Sequence, residues 1–184
     1  GSHPGTQIKK PGVFFAVWAP RAKGVSVVGD FNEWDPEANV MQCDNDMGIY
    51  QLFIPGIKEG ALYKYCITTY NDKLLYKADP YGNYAELRPG NASRVTDLAK
   101  PYRWGDSAWL TKRQTFDPAK DAMSIYEVHP GSWKKHPAQG EDDPGFYNYR
   151  ELAHALAGYV KEMGYTHVEL MGIAEHPFDG SWGY

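Results

Sequence analysis

Residues 13–34, VFFAVWAPRAKGVSVVGDFNEW, decide the fold. Two short apolar runs, 13–19 and 25–28, are cut off by Pro20 and by Gly29-Asp30. Rich in valine and aromatic residues and bounded by turn formers, they predict β-strands rather than helix. The same punctuation continues outward. The run 49–54 stops at Pro55-Gly56, 62–70 at Asn71-Asp72 and 74–76 near Asp79-Pro80, and 94–98 closes the series. Recurrent short strands with Gly, Pro and Asn-Asp turns predict an antiparallel β-sandwich. Within the run from Leu62, alternation puts Tyr63, Tyr65, Ile67 and Thr69 on one face and Leu62, Lys64, Cys66 and Thr68 on the other.

The pattern changes after a loop-like segment, 100–122, that holds two prolines and no clean period. Residues 123–128, MSIYEV, predict a strand, and 166–171, THVELM, a second one. Between them Asn148 stands three before Glu151, a capping-box spacing, and Leu152, Leu156, Tyr159, Val160 and Met163 fall on one helical face that Gly164 ends. Strand, helix, strand in that order predicts a parallel crossover unit, distinct from the sandwich before it. A lone parallel pair is not a domain, because its strands expect neighbours and covering helices, so this unit is expected to be part of a larger α/β fold.

Composition narrows the function classes. The 184 residues carry 19 Lys plus Arg against 23 Asp plus Glu, a net charge of −4, which argues against a nucleic acid or an anionic membrane as partner. At 42% hydrophobic and 15% aromatic the chain is too apolar for disorder. Its longest apolar run, 13–19, is far below the ~20 residues that a membrane-spanning helix needs, and no secretory leader pattern is present. Cys43 and Cys66 are too few for a disulfide framework or a zinc site, which favours a cytosolic protein. His129, His136, His154, His167 and His176 show no ligand spacing, so neither metal nor cofactor is expected. Asn91-Ala92-Ser93 matches a glycosylation sequon without secretory context.

Candidate functional residues start with Trp34, held in a turn-rich loop between Gly29 and Pro36. A flat indole suits the C–H face of a sugar ring, and its alternative duty is to cover the end of the sandwich. Tyr76 and Lys64 join it as an aromatic and a hydroxyl-binding partner. Glu127, Glu169 and Asp179 are the carboxylates nearest the ends of the two predicted parallel strands, but glycosidic chemistry needs a pair poised across a bond, and all three are read as structural. No phosphate loop, nucleophile elbow or cysteine nucleophile appears.

The strings FAVWAP, VSVVGDFNEWDP, YQLFIPG, ALYKYCI, KADPY, AELRPGNAS and VTDL, in that order, resemble carbohydrate-binding module family 48, and YEVHPGSWKKH, YRELAHALAGYVKEMGYTHVEL and EHPFDGSWGY resemble the opening of the catalytic barrel of bacterial 1,4-α-glucan (glycogen) branching enzymes. The resemblance implies an all-β immunoglobulin-like sandwich followed by the first strand, first helix and second strand of a (β/α)₈ barrel. The implied domains are 1–105 for the module, 106–122 for a linker and 123–184 for the start of the barrel. It further implies a retaining mechanism: an Asp nucleophile, a Glu acid/base, and a sugar 6-hydroxyl that takes the chain to form an α-1,6 bond. Those carboxylates belong to later strands, so these 184 residues alone are expected to be inactive. Tyr184 would stack on the transferred sugar. Trp34, Tyr76 and Lys64 match the glycan-binding positions of the module, with Tyr76 where Trp is more usual and Ser93 where binders often keep Asn. The implied partners are α-1,4 glucans such as glycogen and amylose, and the remainder of the barrel. The alternatives are a non-catalytic glycan-binding or regulatory protein and a debranching hydrolase of the same superfamily. Gly1-Ser2-His3-Pro4 is expected to be native sequence, and Pro130 stands where the family usually has Leu.

Overall fold

The computed structural model describes the chain except for residues 45, 46, 88, 100, 101, 139, 141–144, 175, 177, 183 and 184. The chain divides into two compact units, Gly1–Pro101 with Glu175–Ser181, and Tyr102–Ala174 with Trp182–Tyr184.

The first unit is a sandwich of two antiparallel sheets. One sheet holds β1 (Ser2–Gln7), β2 (Lys10–Trp18), β5 (Ile49–Pro55) and β4 (Gln42–Asp44), in the order β1-β2-β5-β4. The other runs β3 (Gly24–Gly29), β6 (Leu62–Thr68), β7 (Leu74–Lys77), with β8 (Ser93–Arg94) also paired to β6. Residues 39–41 pair with β3 through the Val27 N–H to Asn39 carbonyl and Met41 N–H to Val25 carbonyl bonds, then lead into β4. One continuous stretch thereby crosses from sheet to sheet.

The alternation along the strands builds the core. Val13, Phe15 and Val17 of β2, Tyr50 and Ile54 of β5, Val25 and Val27 of β3, and Tyr63 and Tyr65 of β6 meet between the sheets with Met41 and Val95. The buried tyrosine hydroxyls find partners, as burial requires. Tyr63 donates to Asp79 at 2.7 Å, Tyr65 to the Ala16 carbonyl at 3.1 Å, and Tyr50 to the Ala22 carbonyl at 3.0 Å.

β1 is absent from the sequence expectation. Its Gly and Pro content lowers strand propensity, yet it pairs along its whole length with β2, from Ser2 opposite Phe15 to Gln7 opposite Lys10. The turn that joins them places Ile8 at φ 47° and Lys9 at φ 61°, a two-residue hairpin with both central residues left-handed.

In the second unit β9 (Ile125–Val128) and β10 (His167–Leu170) pair in parallel, His167 opposite Ile125 through Leu170 opposite Val128. The short helices α1 (Ser107–Arg113) and α2 (Pro130–Trp133) precede the long α3 (Tyr149–Met163). The segment expected as featureless linker therefore carries α1, whose residues are good helix formers but bury nothing. The capping box at the start of α3 is formed: the Asn148 side chain accepts the Arg150 and Glu151 N–H groups, both at 3.0 Å, and Glu151 accepts the Asn148 N–H at 2.9 Å. Gly164 ends the helix in the left-handed conformation at φ 79°. Leu152 and Leu156 pack with Val128, backed by Tyr126, Trp133, Tyr147 and Val160. Met163, expected on the same face, is instead exposed in the last turn.

Candidate functional site

Strand register decides which side chains share a face. Cys66 lies opposite Ser26 on β3 and Tyr76 on β7, and Lys64 lies opposite Val28. Since Tyr63 and Tyr65 point into the core, Lys64, Cys66 and Tyr76 point to the outer face of that sheet. Lys64 and Tyr76 are diagonal neighbours across the β6–β7 pair, within reach of one bound ring of a saccharide. The Tyr76 hydroxyl shares a hydrogen bond with the Cys66 sulfur beneath it, and electrostatic coupling to that sulfur when ionised, with burial and Asp35 adding to it, pushes the phenol above its ordinary value. Burial pushes the Cys66 thiol up in turn, against hydrogen bonds from Tyr76 and Ser26.

The loop after β3 brings the third residue. Asn32 pins it: the side-chain oxygen accepts the Gly29 N–H at 2.8 Å, while the side-chain nitrogen donates to the Val27 carbonyl at 2.9 Å and to Asn39 at 2.7 Å. Glu33 and Trp34 then both adopt the left-handed region, at φ 54° and 62°, and the Trp34 N–H returns to the Gly29 carbonyl at 3.0 Å. Two consecutive non-glycine residues in this region cost free energy, and such cost concentrates at binding sites. Trp34 remains 36% exposed, and the charge of the next residue, Asp35, is the smallest of the influences that raise the Tyr76 phenol.

Sequence reasoning missed Asn91. The Lys64 ammonium donates to the Asn91 side-chain oxygen, which places an amide on the same face. Ser93 pairs with Tyr63 instead, is buried, and accepts the Asp79 N–H through its hydroxyl at 2.8 Å. Only strand pairing could have revealed that exchange. Asn32 was equally silent as an anchoring residue. Tyr184 lies outside the described residues.

Of the remaining candidates, Glu127, Glu169, His129, His136, His154 and His167 belong to the second unit, and His176 and Asp179 to the first. Glu127 and Glu169 sit directly opposite each other on β9 and β10, both exposed. Side by side on one face, they do not flank a space for a bond. His129 meets Ser132 at 3.2 Å and stacks near Trp182, and His136 lies 4.3 Å from the Tyr147 ring. His167 bonds Thr166 at 2.8 Å. Among the described residues, no group of three or more His, Cys, Asp or Glu could hold a metal ion, and no helix is long and apolar enough to cross a membrane.

Residues 1–82 match the family model for carbohydrate-binding module 48 (isoamylase N-terminal domain). The full chain is 56% identical to the 1,4-alpha-glucan branching enzyme GlgB of Butyrivibrio fibrisolvens and 50% identical to that of Marinobacter nauticus, in each case over 100% of this chain. It spans only 28% and 27% of those relatives' lengths. Similarity in fold extends to a crystal structure of a maltotriose complex of PulA from Klebsiella pneumoniae, 24% identical with a TM-score of 0.61, covering 93% of this chain and 19% of that one. The likeness to the family-48 model thus covers β1 to β7 of the sandwich, and the likeness to branching enzymes continues through the second unit.

Proposed function

We propose that this chain serves a cytosolic 1,4-α-glucan branching activity, in which an α-1,4 glucan is cleaved and its end re-attached through an α-1,6 bond by a retaining, covalent mechanism. The observation that carries the proposal is identity of half or more to branching enzymes along the entire chain, in both units rather than in the module alone. In this reading residues 1–105 are the module, 106–122 connect, and 123–184 open a (β/α)₈ barrel whose nucleophile and acid/base stand on strands outside these 184 residues. The parallel β9–α3–β10 unit supports it, because barrels of this class are built by repeating that crossover.

The module's part is to hold glucan on the outer face of the β3-β6-β7 sheet. A glucose ring lies on Trp34 and Tyr76, with its C–H groups against the aromatic faces. Lys64 donates to its hydroxyls, and Asn91, already oriented by Lys64, offers one acceptor and two donors. Tyr184 takes the transferred sugar in the assembled barrel.

Two assays test this. Incubated with amylose, the 184-residue chain should form no α-1,6 linkages, and their appearance would overturn the assignment of the carboxylates. In affinity electrophoresis through glycogen, the parent chain should be retarded and Trp34→Ala should run like a non-binding control. Equal retardation of the two would remove the outer face from the mechanism.

A further inference from the structure

The pairing of β8 carries the outer face of the β3-β6-β7 sheet beyond Lys64. β3 takes one edge of β6, and β7 and β8 share the other, β7 beside residues 65–68 and β8 beside Leu62 and Tyr63. Ser93 stands opposite Tyr63, which points into the core, so Arg94, opposite Leu62, points outward with Leu62 and Lys64. A bridge sets Ala85 opposite Ser93, and the Arg94 N–H donates to the Tyr84 carbonyl at 2.8 Å, so Tyr84 lies next to Arg94 on the outward side. The Arg94 guanidinium sits over the Tyr84 ring, 5.3 Å from its centroid. The face therefore carries a row along β6: Tyr76 beside Cys66, Lys64 with Asn91, then Arg94 with Tyr84. From Cys66 to Leu62 is four residues, about 13 Å of extended strand.

Two properties mark the far end of this row. Tyr84 is 48% exposed with a guanidinium held against its ring, an amphipathic platform fixed in place. The Arg94 Nε is shielded from water and has no hydrogen-bond partner among the described residues. A shielded donor without an acceptor costs free energy, and a turn of the guanidinium toward an incoming acceptor relieves it. The guanidinium presents its N–H donors in a planar fork, which two neighbouring hydroxyl oxygens of a sugar satisfy together. An anion would satisfy the fork as well, but the Asp30 carboxylate, which accepts the Leu62 N–H at 3.2 Å, sets a negative charge at the same end of β6. A glucan is uncharged, and the first part of the row is the surface on which it is already placed.

We propose that Arg94 and Tyr84 form a further glucosyl subsite, which takes the α-1,4 chain after it leaves Trp34, Tyr76 and Lys64. The inference rests on the glucan reading of the outer face given above. The contact is one continuous track, with Trp34 and Tyr76 as its anchor and Arg94 holding hydroxyls farther along. A disaccharide on the anchor stops short of Arg94, and a chain of seven glucoses reaches it. The face then discriminates by chain length.

The test is the affinity of the 184-residue chain for maltose and for maltoheptaose, with backbone amide shifts locating each. In the parent, maltose should shift the amides around Lys64 and Tyr76, and maltoheptaose should shift those and the amides of Tyr84 and Arg94. Arg94→Ala should weaken maltoheptaose roughly 10-fold, the lower end of what a hydrogen bond to a charged group contributes, and leave maltose within about twofold. Tyr84→Ala, a change at an exposed side chain, should weaken maltoheptaose about threefold, the scale of one aromatic contact, again without effect on maltose. Retained maltose binding shows that each variant is folded. Trp34→Ala should lose both sugars, because the far subsite alone offers too little contact. Maltoheptaose affinity equal in the parent and both variants would overturn the proposal while leaving the glucan reading intact. Parallel loss of both sugars in both variants would also overturn it, making Arg94 and Tyr84 supports of the fold. Shifts at Tyr84 and Arg94 caused by inorganic phosphate and absent with maltoheptaose would make the pair an anion site and refute the proposal. No shifts from either sugar in the parent would defeat this subsite and the glucan reading together.

Discussion

Replacing Tyr63 with Phe removes one hydroxyl and leaves the ring, so the consequence can be worked from a single contact. The Tyr63 hydroxyl donates to Asp79 at 2.7 Å, and the Asp79 side chain is fully buried. Its other side-chain donor within the core is Tyr65, at a longer 3.3 Å. The ring contacts to Phe15 at 5.0 Å and Tyr65 at 5.9 Å survive the change. A hydrogen bond to a buried carboxyl contributes about 2 kcal/mol, most of it the cost of leaving the acceptor short of a donor. The Asp79 network also ties down the following loop, since Asp79 accepts the Tyr81 N–H at 2.9 Å and its own N–H goes to Ser93. Because the chain has two units, a single melting temperature mixes them, and hydrogen exchange of the β6 amides isolates the sandwich. Those amides should exchange about 30-fold faster in Tyr63→Phe, the equivalent of about 2 kcal/mol. Tyr65→Phe, which loses a 3.1 Å bond to a neutral carbonyl and a long one to Asp79, should cost less. A change below about threefold in Tyr63→Phe, or a larger effect for Tyr65→Phe, would refute the reasoning.

Burial and the charge of Asp79 drive the Tyr63 and Tyr65 phenols far above their ordinary value. The native state therefore keeps protons that the unfolded chain releases, and stability should hold below pH about 10 and fall above it, with both residues ionising only as the sandwich unfolds when followed by tyrosinate absorbance. Replacing Ile8-Lys9 with Asn-Gly relieves two left-handed L-residues and should stabilise the hairpin by about 1 kcal/mol, slowing exchange of the β1 amides about fivefold. Asn148→Ala strips the cap from α3 and should cost about 1 kcal/mol, read as faster exchange in its first turn, with Asn148→Asp retaining the parent value. Hydrogen exchange across the whole chain should protect residues 13–98 well beyond 123–171, and equal protection would contradict the two-unit division.

How much of this was legible depends on whether the information was local. The β6 alternation is written in the sequence, and with it the outward direction of Lys64 and Cys66. So is the start of α3, because a capping box needs only residues three apart. β1 was not legible, since its strand character comes from its pairing with β2 and its turn uses Ile and Lys where glycine or asparagine would have signalled a hairpin. Met163 follows the 3.6-residue period yet stays 57% exposed in the final turn, outside the cluster that Leu152 and Leu156 form with Val128. Of the proposed glucan face, Trp34 could be picked out from residue type and loop setting, while Lys64 and Tyr76 are matched to glycan-binding positions through the family resemblance. Asn91 could not, because its meeting with Lys64 spans 27 residues and depends on how far the loop before β8 travels.

The two units solve the problem of covering a sheet differently. In the sandwich each sheet is the other's cover, and a continuous core closes between them. In the second unit α3 packs on Tyr126 and Val128 of β9, while Val168 and Leu170, on the same face of β10, remain 38% and 43% exposed and Ile125, on the opposite face, 54%. Parallel strands are normally apolar because both faces are buried. Here the face opposite the helix also sets Glu127 directly against Glu169, an arrangement that repels unless a cation arrives to separate them. A bare apolar edge and an unbalanced carboxylate pair are both relieved by the same event, the arrival of further strands with basic side chains on their inward face. The barrel proposal therefore makes a demand on the chemistry of those strands as well as on their number.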